Sequence, residues 1–292
     1  MTWVAWRVQR LQYLTAAGAV LIIGLWLMFS GLYGDSSWSQ AALTGDIFVL
    51  SGLPGLLGLT LGTSLVAGEF HNKTNRLAWS QSVSRSRWLV DKLATGTVVV
   101  GVLSAALVPL LDWWGGAMNV GVDIQPKIFD ITGVVVVGYT LFAFMLGAAL
   151  GAIIQKPTWA FAASVPVFAL VRLLIGGQRS TLASPFSLVE PIQGVQPNGW
   201  ILHYGYLPLG QTSPASGQSW TRYGQHLYAC FNRVLTSANQ THCALVAHLH
   251  WVWQYEPERH YWSIQWSEAT IYLGLAIVLL VVTLITVRRW ET

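Results

Sequence analysis

Six long apolar runs determine what this chain can fold into. Five contain no Asp, Glu, Lys or Arg, and the other carries only Arg172 near its end. The runs are Ala16–Tyr33, Ile47–Ala67, Leu93–Leu111, Ile131–Ile154, Trp159–Ile175 and Ala269–Val287. About 20 helical residues cross a bilayer core of about 30 Å, and backbone groups in lipid must bond within their own segment. The runs therefore predict an all-α membrane protein with six transmembrane helices, forming a single transmembrane domain over residues 1–292.

Composition agrees with this class and narrows the possible functions. Only 10% of the residues are charged and 53% are hydrophobic, whereas about 25% of the residues of a soluble domain are charged. The 16 tryptophans suit membrane interfaces. Nothing in the charge pattern indicates a nucleic-acid partner. The chain contains no Gly-x-Ser-x-Gly or His-Glu-x-x-His motif, so the sequence predicts no enzymatic activity of its own.

Lys and Arg residues predict the orientation in the membrane. With both termini in the cytoplasm, most basic residues lie inside, and the short outer loops hold only Lys127. The inside set is Arg7, Arg10, Lys73, Arg76, Arg85, Arg87, Lys92, Lys156, Arg288 and Arg289. The opposite orientation would place these residues in short outer loops, against the positive-inside rule. The N and C termini are therefore predicted to be cytoplasmic, and residues 176–267 to be an extracellular segment.

A basic, amphipathic loop over residues 68–92 joins the second and third runs and is predicted to be cytoplasmic. Composition alone permits a solvated loop that binds anionic lipid. Its order of residues is more specific and comprises Glu69, Thr74, Leu77, Val83-Ser84-Arg85, Trp88 and Lys92. This order resembles the loop between helices 2 and 3 of ABC-2 type transporter permeases. Two positions depart from that pattern, because Lys73 replaces the usual Gly and Ser82 the usual Pro.

The resemblance extends over all six runs and the order of loop lengths. It implies an ABC-2 permease fold of the type V exporter kind, in a bacterial subgroup with a large outer segment between helices 5 and 6. It also implies that residues 68–92 form a cytoplasmic coupling loop that docks an ATPase. The ATPase-coupling residues would then be Glu69, Thr74, Leu77, Val83, Arg85, Trp88 and Lys92. Residues 1–12 would be an interfacial connecting helix, although a plain membrane anchor with Trp3 and Trp6 at the interface fits equally well.

The implied function is outward transport driven by a separate subunit. The chain has no Gly-x-x-x-x-Gly-Lys-[Ser/Thr] phosphate loop, so it is not expected to hydrolyse ATP itself. We expect no cofactor on this chain, and ATP and Mg²⁺ would be held by an ABC ATPase present in two copies. The permease would act in the bacterial plasma membrane as a homodimer or with a similar subunit. Its cargo would be an amphiphilic compound, an antibiotic, a peptide or a lipid.

Other classes of function remain open at this stage. A membrane sensor or scaffold would use its extracellular segment to bind a ligand and its inner loop to bind a signalling protein. A secondary carrier driven by an ion gradient should have acidic residues near mid-membrane, and the apolar runs contain none. A membrane-embedded hydrolase would depend on the outer histidines, which have no obvious nucleophile nearby.

The outer segment contains both cysteines of the chain, Cys230 and Cys243. An oxidising compartment permits a disulfide between them, and two free thiols are the alternative. The stretch from Trp220 to about Tyr255 is predicted to be helical. His248 and His250 are too close in sequence to share one helix face, so the histidines are interpreted as ordinary packing or surface residues rather than a metal site.

Charges at the ends of the runs give a further hypothesis. Asp46, Asp130 and Glu268 each precede a run that enters from outside, so helix dipoles explain them. Asp112 ends the third run, where the dipole disfavours a negative charge. Arg172 lies within an apolar run, and an ionisable residue there is a functional candidate. We expect Asp112 and Arg172 to line the outer exit of a transport pathway, with snorkelling of Arg172 to the headgroups as the alternative.

Overall fold

A computed structural model describes residues 2–33, 40–71, 85–118, 124–190, 197–214, 219–220 and 248–289 of the chain. Contacts divide it into two compact units. One, the helical unit, comprises residues 1–121, 127–177 and 265–292. The other, the sheet unit, comprises residues 122–126 and 178–264. The sheet unit corresponds closely to the predicted segment 176–267, whose extracellular placement stays a prediction.

The long helices are α1 (Thr2–Tyr33), α2 (Gln40–His71), α3 (Arg85–Ala117), α5 (Val135–Ile154), α6 (Pro157–Gly177) and α7 (Tyr261–Arg289), and α4 is a short helix over Pro126–Phe129. Six helices among the described residues are long and apolar enough to cross a membrane. They coincide with the six apolar runs, so the predicted fold class is confirmed. The predicted connecting helix falls within α1, which is continuous from Thr2, and a separate interfacial element stays a prediction.

The turn between α5 and α6 follows from its residues. Gln155 adopts a left-handed conformation with φ of 61°, and its N–H donates to the carbonyl of Gly151 at 3.0 Å. This is a common way of ending a helix. Pro157 then begins α6, where a missing N–H is harmless in the first turn. The turn at Gln155 and Lys156 is thus set by one cap and one proline.

The central helix of the helical unit is α5. It has 72% of its span buried, against at most 56% for the other five spans, and it packs on α2, α3 and α6. Its closest partner is α2, through two Gly-x-x-x-Gly pairs, Gly58 with Gly62 on α2 and Gly147 with Gly151 on α5. Small residues let transmembrane helices approach backbone to backbone.

The available space at these glycines confirms the close approach. A Cβ atom at Gly58 would lie 2.5 Å from the Thr140 carbonyl oxygen, and one at Gly147 would lie 2.7 Å from the Leu59 carbonyl oxygen. At Gly62 it would overlap the Phe144 carbonyl oxygen. These neighbours are backbone atoms, which cannot rotate away as a side chain can. Glycine is therefore required where α2 and α5 cross.

Gln265 joins the last helix to the segment that precedes α5. Its side chain is fully buried, and its Oε1 accepts a hydrogen bond from the Val135 N–H at 2.8 Å. Its Nε2 donates to the carbonyls of Thr132 at 3.1 Å and Phe129 at 3.4 Å. The first N–H groups of a helix have no partner within the helix. Gln265 thus satisfies one of them and fixes the start of α5 against α7.

The sheet unit contains three antiparallel strands in the order β1-β3-β2: β1 (Phe186–Glu190), β2 (Gly199–Pro208) and β3 (Leu249–Pro257). Phe186 pairs with Tyr255 in one ladder, and Pro208 pairs with Leu249 in the other. Irregular pairing between Ile201 and His203 marks a bulge in β2. The sequence did not predict this sheet, which adds to the six-helix architecture without changing its class.

The helix predicted from Trp220 to about Tyr255 is wrong over residues 249–255, where the structure has β3. The reason is an alternation with period two. Leu249, Trp251, Trp253 and Tyr255 belong to one apolar cluster, together with Tyr206 and Ile201 from β2. Aromatic residues favour strands when one face is buried. Residues 221–247, with Cys230, Cys243 and the predicted disulfide, lie outside the described residues.

The positions of two acidic residues also correct the dipole interpretation. Asp46 lies beyond the first turn of α2, which begins at Gln40. Glu268 lies well inside α7, which begins at Tyr261, and only 1% of its surface is exposed. A helix dipole acts within the first turn, so it does not account for either carboxylate.

Candidate functional site

Three of the predicted coupling residues lie together where α2 ends and α3 begins. Lys92 Nζ lies 2.5 Å from Glu69 Oε1, and the two side chains are only 6% and 12% exposed. The same ammonium group lies 4.6 Å from the centroid of the Trp88 ring. An ion pair and a cation–π contact thus share one buried cation.

Helix geometry accounts for this arrangement. Trp88 and Lys92 are one turn apart on α3, so they share a face. Apolar residues close in sequence to the ion pair are buried as well, namely Val66 on α2 and Leu89 and Leu93 on α3. Removing one partner of a buried ion pair leaves an uncompensated charge and costs about 3–5 kcal/mol. The Glu69–Lys92 pair therefore ties the two ends of the loop 68–92 to each other.

The remaining predicted coupling residues fall in or beside the loop itself. Arg85 begins α3, and its side chain is not among those described. Thr74, Leu77 and Val83 lie outside the described residues. Their role in coupling stays a prediction.

A second cluster surrounds Arg172 on α6. Its Nη2 lies 3.2 Å from Asp130 Oδ1, its Nη1 donates to the Ser51 carbonyl oxygen at 2.9 Å, and its Cζ lies 4.1 Å from the centroid of the Tyr139 ring. The Arg172 side chain is 14% exposed. One guanidinium group therefore links α2, α5, α6 and the turn before α5.

Asp112 has different neighbours. It lies within α3, which continues to Ala117, so it does not end the helix as the sequence suggested. Its Oδ1 accepts a hydrogen bond from the Gly133 N–H at 3.4 Å, and Gly133 has a φ of 69° that favours glycine. Asp112 thus holds the turn before α5, whereas Arg172 pairs with Asp130 in that same turn.

Sequence reasoning missed Asp130 as the partner of Arg172. The sequence did contain a signal for this pairing. A lone cation in an apolar run requires an anionic partner, and only a few acidic residues lie next to the runs. Choosing among Asp46, Asp112 and Asp130 requires the packing of α6 against α5, which no local pattern contains. Among the described residues, no group of three or more His, Cys, Asp or Glu side chains is arranged to hold a metal ion.

Comparison with known families decides the assignment. A family model described as "ABC-2 membrane transporter related" matches residues 32–178, which is about half of the chain and includes α2 to α6. The chain belongs to this family. The resemblance seen in the loop 68–92 is thereby confirmed. No curated protein and no solved structure matches the chain.

Membership assigns this ABC-2 related protein to a general class. Such permeases are the transmembrane components of ABC transporters and are distinct from the ATPase. They typically pair with an ABC ATPase subunit. Together with the six spans, the family makes the chain a multi-pass membrane protein.

Proposed function

We propose that the chain is the permease subunit of an ATP-binding cassette exporter, which moves an amphiphilic compound, antibiotic, peptide or lipid outward. Energy would come from ATP hydrolysed by a separate subunit. The observation that carries this proposal is the buried Glu69–Lys92 pair at the base of the loop 68–92. A loop that served only to place positive charge in the cytoplasm would not need a buried ion pair between its two ends.

The arrangement gives the loop a mechanical route into the membrane. A partner that moves the loop pulls on α2 and α3 together, because Glu69 and Lys92 join them. Motion of α2 then passes to α5, since backbone contact at Gly58 and Gly62 leaves no room for slippage. The beginning of α5 is in turn bound to α7 by Gln265.

The proposal includes the surroundings of the permease. Two ATPase subunits would hold ATP and Mg²⁺ on the cytoplasmic side, and two permease chains, identical or similar, would form the pathway. Both termini would be cytoplasmic and residues 176–267 extracellular, in a bacterial plasma membrane. Support comes from the family and from the positive-inside distribution of Lys and Arg.

The test is reconstitution of the chain with its ATPase in proteoliposomes. We expect vanadate-sensitive ATP turnover that rises in the presence of cargo, and cargo movement that requires ATP. Liposomes that contain the chain alone are the control. Cargo movement by the chain alone, driven by an ion gradient, would show a secondary carrier. Binding of a ligand with no transport under any condition would favour a membrane sensor.

Arg172→Ala tests the predicted pathway residues. We expect it to lower transport, because Asp130, the Ser51 carbonyl and the Tyr139 ring all lose their cationic partner. Arg172→Lys keeps the charge but not the forked geometry, so it should restore transport only in part. The measurement is transport per assembled complex, with assembly checked by co-purification. Wild-type transport by Arg172→Ala would remove Arg172 from the pathway.

A further inference from the structure

A cleft between α1 and α2 has a chemistry that the proposed function does not use. Its volume is about 330 Å³, and its walls include Ile22, Ile23 and Trp26 from α1 and Asp46, Val49 and Leu53 from α2. Small-molecule sites are typically mostly apolar and of about 300–1,000 Å³. All of these residues belong to the helical unit.

Asp46 is the unusual member of this wall. Its Oδ2 is buried, and within the described part of the chain it has no hydrogen-bond partner. A buried polar atom without a hydrogen-bond partner is unfavourable, and more so if it is charged. Because Asp46 lines the cleft, a cationic ligand there would lie beside this carboxylate and offset its charge.

Trp26 supplies the second element of cation recognition. It lines the same cleft as Asp46 and is 41% exposed. Trp has the aromatic face that attracts cations most strongly, and aromatic side chains recur in sites for quaternary ammonium groups. The other residues named above are aliphatic and suit the apolar body of such a ligand.

We propose that this cleft binds a free hydrophobic ammonium compound, with its cationic nitrogen at Asp46 and Trp26 and its apolar body among the aliphatic residues. The proposal rests on the exporter function proposed above and adds to it a class of cargo. The cleft is reachable from the hydrocarbon, because Ile22 and Val49 are exposed.

A phospholipid headgroup is the less suitable occupant. Its ammonium group is accompanied by a phosphate, which Asp46 would repel, and none of the described residues that line the cleft is basic. The volume of the cleft is about 330 Å³. This suits a single aryl or short alkyl group better than two acyl chains.

The test is equilibrium binding of benzyltrimethylammonium to the full-length chain in lipid nanodiscs, without ATPase or nucleotide. Its uncharged carbon isostere, neopentylbenzene, is the matched probe, and empty nanodiscs give the background. We expect saturable binding of the cation, and Asp46→Asn should weaken it about tenfold or more while binding of the isostere stays unchanged. Trp26→Leu should weaken cation binding several-fold.

Glu258→Gln is the charge-matched control, because Glu258 is an exposed acid of the sheet unit, and it should bind as wild type does.

A photoreactive aryl ammonium probe on the wild-type chain should label peptides of α1 and α2, which keeps the test valid if a variant fails to fold. Equal loss of both probes in an Asp46→Asn variant that melts as the wild type does, or labelling of the wild-type chain elsewhere, would overturn the proposal. Displacement by short-chain phosphatidylcholine at matching concentrations would overturn it in favour of a lipid headgroup. Failure of cation binding alongside ATP-driven transport would leave the exporter function intact, and binding without ATP coupling would reject only the exporter function.

Discussion

Gly62→Ala is expected to destabilise the helical unit by about 3 kcal/mol, at the upper end of what overpacking costs. The added methyl group would overlap the Phe144 carbonyl oxygen of α5. Because that atom belongs to a helix backbone, the only relief is separation of α2 from α5. Separation would weaken the packing along the whole length of the central helix. The measurement is the thermal unfolding midpoint of the full chain in detergent.

Gly52→Ala is the control for this experiment. It makes the same change on the same helix, but a Cβ atom at Gly52 would have no atom within 4 Å. Ala has a higher helix propensity than Gly, by about 1 kcal/mol in aqueous hosts. The midpoint of this variant should therefore equal or exceed that of the wild type. Equal melting of Gly62→Ala and Gly52→Ala would show that α2 and α5 are not in backbone contact.

A graded series sharpens the same prediction. A Cβ atom at Gly58 would lie 2.5 Å from the Thr140 oxygen, whereas at Gly151 its nearest neighbours would lie at 3.3 Å. Alanine at Gly62 should therefore cost most, at Gly58 and Gly147 somewhat less, and at Gly151 least. A reversed order would contradict the structure even if every variant were destabilised.

The six helices could be predicted because each apolar run is by itself long enough and apolar enough to indicate a transmembrane helix. Residues such as those of Val135–Ile154 have no stable alternative in lipid but a helix. The crossing of α2 and α5 was also readable in principle, since both contain Gly-x-x-x-Gly. Two such motifs do not say which helices pair, however, and other glycines such as Gly52 face open space.

The sheet unit escaped prediction for a different reason. Trp251, Trp253 and Tyr255 repeat every second residue, a strand spacing that the helix predicted for this stretch does not take into account. Strand β3 also takes its partners from β1 and β2, which lie far before it in the chain. Pairings of this kind depend on the folded arrangement and on no local signal.

The sequence could predict which residues belong to the candidate site, but not which of their side chains contact each other. The resemblance to the ABC-2 loop pattern identified Glu69, Trp88 and Lys92 as candidate site residues. That Glu69 and Lys92 pair across the loop, with little exposure to solvent, follows only from how α2 and α3 pack. The same limit holds for Arg172 and Asp130, because the sequence marks each residue but not the ion pair between them.

The Glu69–Lys92 pair gives the second large expected effect. Glu69→Gln leaves an ammonium group buried without its anion, and Lys92→Met leaves a carboxylate without its cation. Each change should lower the free energy of unfolding by about 3–5 kcal/mol. Each should also lower ATP-driven transport by about tenfold or more while the bound ATPase continues to turn over, because the ends of α2 and α3 no longer move together.

Two double variants separate stability from coupling. Glu69→Gln with Lys92→Met removes both charges, and replacing a buried ion pair by neutral groups is often tolerated. We expect this variant to regain wild-type stability but not coupling, since an amide and a thioether hold the helices less firmly than an ion pair. The exchange of Glu69→Lys with Lys92→Glu retains a pair and should restore part of the transport.

Lys156→Gln is the control, because it removes an exposed cation from the turn between α5 and α6. It should leave both the free energy of unfolding and the transport unchanged. Full coupling in the doubly neutral variant would mean that the pair only stabilises the fold, and that force enters the membrane through other contacts of the loop.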